Sequence, residues 1–443
     1  MPRTRHQNES LGRLLYETGW DHGQFTRAIN AAGTRAGLSL HYENSSVSHW
    51  LNDGTVPRRR TQELILDVLS TRLRRPVTVA EAGFGEPQLD GEATDLVTGL
   101  MDLARADMDP SRRSVLGAGL YSAAMVSVPG WQDAVGRIDM IKTNPHTRIG
   151  QREVQSVIAM TEMVSSIDDQ QGGRFARPMA ANFLVNAIGP YLKADATDEV
   201  RKAMLSAAAD HCYLTGYMAM DERLDGLANR YYVKALELAR LAGDELTFCT
   251  TLRGMSVMHG DLGDGSTAIR LAQSASAASP QAGPRMRAFL AGQEAHAAAI
   301  TGDRSLALLR IKQAEAAMEK AESQAKALGS YDPSSLHYHV SQVRYELGDM
   351  SGAIESMQQS HQIREPVFRR TRVRYGAMLA ERKFKAGRLD EACMDWHRVL
   401  DEYQLVQSGR VDDRIHEMQT LIMPHIRNLL ARELHDRARS MTA

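Results

Sequence analysis

The sequence predicts an all-α protein, a small helical head followed by a long array of paired helices. Three observations lead there. Apolar residues recur at helical spacing through the first 76 residues. From Gly150 onward Ala, Leu, Arg and Glu dominate, with few β-branched runs. Within that stretch a Gly is followed five residues later by an Ala, at Gly263/Ala268, Gly302/Ala307, Gly348/Ala353 and Gly387/Ala392. At 443 residues the chain is too long for one ordinary core, and 43% hydrophobic with 24% charged residues excludes wholesale disorder.

In the head, Leu11, Leu14, Leu15 and Trp20 follow Ser10 and predict a first amphipathic helix that Gly19 ends. Asp21 is placed to cap a second helix, which turns Phe25, Ala28 and Ile29 toward the same core. The stretch from Gly33 to Tyr42 exceeds the roughly three- or four-residue turn of a helix-turn-helix, and reads as an extra turn of helix two plus a loop. A third helix follows over Asn44-Ser45-Ser46-Val47-Ser48-His49-Trp50-Leu51-Asn52. Its apolar residues Val47, Trp50 and Leu51 share one face and hold it down. Its small polar residues fall mostly on the other, where side chains of that type reach base edges. Pro57 ends the unit, and Thr61 is expected to cap a last helix carrying Leu64, Ile65, Val68, Leu69 and Leu73.

That pattern is the shape of a DNA-recognition helix, and makes Asn44, Ser45, Ser46, Ser48 and His49 the candidates for DNA contact. Arg58, Arg59 and Arg60 lie just beyond, where flanking phosphates would sit; such contacts supply most sequence-independent affinity. The charge is divided accordingly. Residues 1–76 hold 11 Arg against 7 Asp and Glu, a net +4, so that the chain's total of −1 leaves −5 for the remainder.

Gly, Pro and acidic residues between Gly83 and Gly91 read as the start of a linker over 84–149, with one or two helices in it. Ser111-Arg112-Arg113-Ser114 with the apolar run to Val128 has the look of a twin-arginine export signal. It follows more than a hundred residues of chain and is shorter than the ~20 residues a membrane helix needs, so it reads as a buried helix. The expected organisation is thus a DNA-binding head over 1–83, the linker, and a repeat body over 150–443.

In the body, each repeat Ala is followed by inward positions four and seven residues on: Ala272 and Ala275, Ile311 and Ala314, Met357 and Ser360, Trp396 and Val399. Ala228 with Tyr232 and Ala235 fits an earlier unit whose first helix holds Gly216. Small residues at fixed places let paired helices pack closely, and the pattern is similar to the tetratricopeptide repeat. The intervals between repeat Ala residues, 40, 39, 46 and 39, exceed the ~34 of that repeat, so the array is tetratricopeptide-like. A plain helical bundle is the alternative, and five consecutive matches favour the solenoid.

Two blocks together resemble the actinobacterial regulators that join an Xre-type helix-turn-helix head to a tetratricopeptide-like body. The first is Ser45 to Leu51 with Arg74-Arg75-Pro76-Val77-Thr78. The second is Gly216-Tyr217-Met218-Ala219-Met220-Asp221, Gly226-Leu227-Ala228, Tyr231-Tyr232, Ala235-Leu236 and Leu238-Ala239. The resemblance implies a cytoplasmic transcriptional regulator of development or secondary metabolism.

The early positions of each first helix line the inner wall of such a superhelix, which places Tyr213, Tyr217, Arg253, His296, Tyr338, Gln342 and Arg374 there. Aromatic and hydrogen-bonding groups in that mixture suit a peptide or small-molecule effector. No catalytic spacing is present: HExxH, GxSxG and the phosphate-binding loop are all missing, so an enzyme is not expected. His337 and His339 stand two apart, on different helical faces, and do not make a metal pair. Cys212, Cys249 and Cys393 are odd in number and in no CxxC pattern, which suits a reducing compartment. The expectation is a homodimeric regulator that binds double-stranded DNA, with no cofactor, metal or membrane partner; the alternative is a scaffold whose body docks a partner protein and whose head binds no DNA.

Overall fold

The computed structural model describes residues 8–35, 40–53, 55–57, 59–73, 77, 81–84, 93–108, 137–138, 140–141, 147–278, 282–321 and 331–442. Among these the regular elements are helical, with one isolated bridge between Arg148 and Asp195. The chain divides into two compact units, the first formed mainly by Met1–Glu92, the second by Ala93–Gly260 and Gly265–Ala443.

The head contains α1 (Glu9–Thr18), α2 (His22–Arg35), α3 (Asn44–Asn52) and α4 (Arg59–Leu73). Their apolar faces meet in one core of Leu11, Leu14, Phe25, Ile29, Val47, Ile65 and Leu69, closed by Trp50. Asn8, not Ser10, sets the start of α1: its side chain accepts from Leu11 N at 2.9 Å and donates to Ala82 O at 2.9 Å. Its own N–H reaches Leu51 O at 2.8 Å, so one residue ties α1 to the end of α3 and to the 81–84 segment. Asp21 and Gln24 exchange side-chain-to-backbone bonds at 2.7 and 3.1 Å and cap α2, which runs the extra turn to Arg35. The expectation for Thr61 is corrected. The last helix starts at Arg59, and Thr61 is buried with its hydroxyl 2.8 Å from that of Tyr42, since a hydroxyl inside the first turn facing a core needs a partner there.

The body begins with α5 (Ala93–Asp107), which lies in the stretch read as linker and buries Leu96, Val97, Leu100 and Ala104. Its last residue, Asp107, receives the Tyr231 hydroxyl at 3.0 Å and the Arg177 guanidinium. The twin-arginine look-alike falls outside the described residues. Next come α6 (Gln151–Gln171) and α7 (Gly173–Phe183), which continues through a π turn (Leu184–Ile188) into α8 (Gly189–Lys193).

Five helix pairs follow among the described residues: α9 (Asp198–Asp221) with α10 (Asp225–Ala242), α11 (Glu245–Asp261) with α12 (Gly265–Ala277), α13 (Pro284–Ile300) with α14 (Arg304–Glu319), α15 (Pro333–Glu346) with α16 (Met350–Ile363), and α17 (Arg369–Lys385) with α18 (Leu389–Tyr403). The four repeat glycines sit in the turns within the last four pairs at φ between 78° and 84°, a left-handed backbone that a Cβ disfavours. Ala228, Ala268, Ala307, Ala353 and Ala392 are all fully buried. Twelve residues before each stands another small residue, Gly216, Ser256, Ala295, Ser341 and Ala380, likewise buried. Ser256 donates to Ala268 O at 2.8 Å and Ser341 bonds Ala353 O, which shows how closely the paired helices approach. α19 (Gly409–Ile422) and α20 (Leu429–Thr442) seal the last pair, packing Ile415, Met418, Ile422 and Leu434 with Trp396 and Val399.

The array curls until its two ends meet. First helices touch their successors in turn: Gly254 on α11 abuts the Tyr213 ring, Gln293 on α13 reaches Ser256 at 3.0 Å, Gln342 on α15 reaches His296 at 3.4 Å, and Tyr375 on α17 stacks on Tyr338. α17 then meets α9 and α6 again through Arg370, whose guanidinium lies 2.9 Å from Asp168 Oδ2 and 3.3 Å from Asp221 Oδ1. Backbone bonds close the seam: Gln407 N to Gln171 O at 2.6 Å, and Arg174 N to Gln407 O at 3.1 Å. Gly172 lies at φ 94° where a Cβ would stand 2.3 Å from Gln407 O, so no side chain fits at this joint. The start of α17 thus returns to the end of α9.

Candidate functional site

Helix α3 is anchored on one side and open on the other. Val47 and Trp50 are buried beneath it, Trp50 edge-on to Tyr42 with ring centroids 5.1 Å apart. Asn30 on α2 fixes the approach to the helix, bonding the Tyr42 backbone through both its amide groups at 2.9 and 3.0 Å. Opposite that anchored side, Asn44, Ser45 and His49 are exposed, and Ser46 and Ser48 are half-buried. The Ser46 hydroxyl and the Glu43 carboxylate cap the helix reciprocally, so Ser46 also serves the local fold. Ser48 receives the Asn52 amide at 3.1 Å, and His49 Nδ1 lies 2.6 Å from Asp53 Oδ2, which orients the imidazole. Arg59 and Arg60 open α4; Arg58 lies outside the described residues.

Sequence reasoning missed Arg27. It is exposed, and a Cβ placed on Gly23, in the first turn of α2, would stand 3.3 Å from its Nη1 and 3.6 Å from Asn44 Oδ1. The start of α2, Arg27 and the start of α3 thus converge on one side of a cleft of about 760 Å³ that Tyr16 and His22 also line. The i, i+4 spacing of Gly23 and Arg27 on a helix was the available signal.

On the body's inner wall, the expected residues fall in one register. Tyr213, Arg253 and Tyr338 precede their repeat Ala by fifteen residues, and Tyr217, His296 and Gln342 by eleven. Tyr213, Tyr338, Gln342 and Arg374 are buried; Tyr217, Arg253 and His296 keep part of their surface open. The Tyr213 and Tyr217 rings are 6.4 Å apart, and the Arg253 guanidinium lies 4.0 Å over the Phe289 ring. Tyr338 and Tyr375 are parallel, 3° between planes and 4.3 Å between centroids, with the Arg364 guanidinium 5.3 Å from the second ring. The Arg374 charge helps to lower Tyr217, whereas burial raises Tyr375 despite Arg364 and Arg374 nearby.

Several arginines act on Tyr217. Burial raises the Tyr217 hydroxyl, yet the charges of Arg370, Arg410 and Arg374 outweigh it and bring the group below its ordinary value. Burial, with Arg253 and His296 adding to it, drives His339 well below the usual imidazole range; its Nδ1 is 2.8 Å from the Tyr331 hydroxyl. Arg382 is 3% exposed and bonds only the neutral Ser341 hydroxyl and Gln342 carbonyl, with its guanidinium 4.8 Å over the Tyr345 ring. Burial without a close carboxylate pushes Arg382 down to about 10. Tyr375, Arg364, Arg370 and Arg382 were not expected here: Arg364 follows α16, Tyr375 and Arg382 meet the neighbouring α15, and Arg370 arrives only through the array's closure.

Among the described residues no group of three or more His, Cys, Asp or Glu side chains can hold a metal ion. No described helix is long and apolar enough to cross a membrane.

The SP15 N-terminal domain family matches residues 11–85, the stretch that holds α1 to α4. No curated protein matches the chain.

Proposed function

We propose that the chain is a sequence-specific DNA-binding transcriptional regulator whose repeat body senses a small molecule or peptide. The observation that carries the reading is α3: a short helix anchored by Val47 and Trp50, with Asn44, Ser45 and His49 presented outward. An Xre-type head would lay that face in the major groove and rest the start of α2 on the backbone, with the positive end of the helix dipole and Arg27 toward a phosphate. His49, held by Asp53, is the residue best oriented to meet a base edge. The net +4 of residues 1–76 supports the same reading. A homodimer fits it too, because two linked heads gain avidity without new contacts. The body supplies the sensing part: its first helices carry Tyr217, Arg253 and His296 with part of their surface open. A mobility-shift titration of the full chain against genomic fragments at several salt concentrations tests the DNA reading, since only a phosphate-contacting protein loses affinity steeply with salt.

A further inference from the structure

We propose that the cavity between α12, α13 and α14 binds a small apolar molecule carrying one oxyanion group, its body on Leu290, Ala291 and Ala317 and its charge on Arg287 and Lys320. This gives the sensing role of the body a place and rests on that reading for its use, while the binding itself requires no DNA.

The cavity holds about 380 Å³, within the roughly 300–1,000 Å³ of small-molecule sites. Two helix faces make most of it. On α13, Pro284, Arg287, Leu290 and Glu294 follow one another three or four residues apart, and on α14 Arg310, Gln313, Ala317 and Lys320 do the same. The short side chains of Ala291 and Ala317 leave room between the two helices. Because α13 and α14 run antiparallel from the turn at 301–303, the faces pair end to end. Glu294 meets Arg310 at one end, Oε1 to Nε 2.9 Å, and Arg287 and Lys320 stand at the other.

The two ends differ in charge. Glu294 is 1% exposed and its second oxygen takes the Ser276 hydroxyl at 3.0 Å, so this carboxylate is closed to a ligand; Arg310 in turn holds the Gln313 carbonyl at 2.8 Å. At the other end Arg287 Nε donates to the neutral Ala282 O at 2.7 Å, and no Asp or Glu oxygen lies within 4.0 Å of Arg287 or Lys320 among the described residues. Both side chains are exposed, whereas Leu290 is buried and Ala291 and Ala317 are half-buried. Two cations without a carboxylate, at the open end of a recess with an apolar floor, fit a molecule with one anionic end. Arg287 offers planar N–H donors that match an oxyanion, and Lys320 adds a compact positive charge. The apolar body displaces water from the floor, a gain that a bare inorganic anion forgoes.

The test is isothermal titration calorimetry of the full chain with 2-naphthoate, 2-naphthyl phosphate and the uncharged 2-naphthol, which share one apolar body, at constant ionic strength. At least one of the two anions is expected to bind saturably, about tenfold or more tighter than 2-naphthol, and the one that does so tells carboxylate from phosphate. Arg287→Gln/Lys320→Gln alters two exposed residues, so the fold is expected to survive while the affinity for the anion falls about tenfold. Ala291→Phe fills the recess with both charges in place and is expected to abolish binding. No saturable binding of either anion, 2-naphthol bound as tightly as the anions, or a charge variant that binds as the natural chain does, overturns the proposal. No duplex is present, so such a failure leaves the DNA reading standing. An anion that binds here and leaves the affinity for an operator duplex unchanged supports the site and counts against its sensing use alone.

Discussion

Replacing Arg370 by Ala is expected to open the ring of helices. The side chain is 4% exposed and faces Asp168 Oδ2 at 2.9 Å, Asp221 Oδ1 at 3.3 Å and Asp169 Oδ1 at 3.5 Å. Its removal leaves three carboxylates facing one another, two of them buried. Breaking a buried pair in this way costs about 3–5 kcal/mol. Asp168 softens the loss. Burial, with Asp221 adding to it, raises its pKa even beside Arg370, so once the guanidinium is gone the carboxyl takes up a proton instead of remaining a stranded charge. The lower end, about 3 kcal/mol, is therefore expected, or a fall in Tm of roughly 6 °C at about 2 °C per kcal/mol for a unit of this size. Thermal unfolding measures the fall, and limited proteolysis around 171–174 and 404–408 reports the seam directly. Adding Asp221→Asn should recover part of the loss, because it removes one of the stranded charges. A Tm within about 1 °C of the natural chain, with an unchanged digestion pattern, refutes closure by this cluster.

Three further outcomes are expected. His211 is fully buried between Thr161 Oγ1 at 2.8 Å and Ala180 O at 3.1 Å, and burial lowers its pKa from 6.5 to about 4. The unfolded chain thus takes up the proton first: this stabilisation is full above 6.5 and is lost as pH falls to about 4, roughly 3 kcal/mol in all. A His211→Gln variant, less stable at pH 7.5, should converge on the natural chain toward pH 4, and a gap that stays constant with pH contradicts the burial argument. In the head, His49→Ala with Ser46→Ala should weaken discrimination between operator and random duplex by about 1–3 kcal/mol per lost base contact, with helicity retained, whereas Trp50→Ala should unfold the head at a cost of about 3–5 kcal/mol. Neutralising Arg58, Arg59 and Arg60 together should lower affinity for specific and random duplexes alike. Two phosphate contacts among the three flatten the slope of log K against log salt by about 1.8, and an unaltered slope shows them to be a solvated face.

What could be read from the sequence was whatever local spacing controls. The repeat Ala residues mark all five helix pairs and the turn glycines the last four, because a left-handed turn and a close helix crossing each admit few residue types. The second small residue, twelve positions before the Ala, carries the same information and was recognised only at Gly216. The head core followed from helical periodicity; its fastenings did not. Asn8 and Asn30 act on partners at the far side of the fold, and Thr61 looked like a cap because Thr serves caps and buried hydroxyl pairs equally well. The inner wall was partly legible, since repeat register places Tyr213, Arg253 and Tyr338 alike. The seam was not: Gly172 against Gln407 and Arg370 against Asp168 join residues more than two hundred positions apart. Nothing in either segment alone indicates its partner, and the place of Arg370 depends on that closure.

DNA reading through α3 stands or falls on the affinity of the full chain for an operator selected from genomic fragments, compared with a scrambled duplex, from about 50 to 200 mM salt. Log K is expected to fall linearly with log salt, with a slope of about −0.9 for each phosphate contacted, and the operator to be preferred by about a thousandfold or more, a preference that His49→Ala diminishes. A chain that binds neither duplex, or binds both equally with a salt-independent affinity, contradicts it.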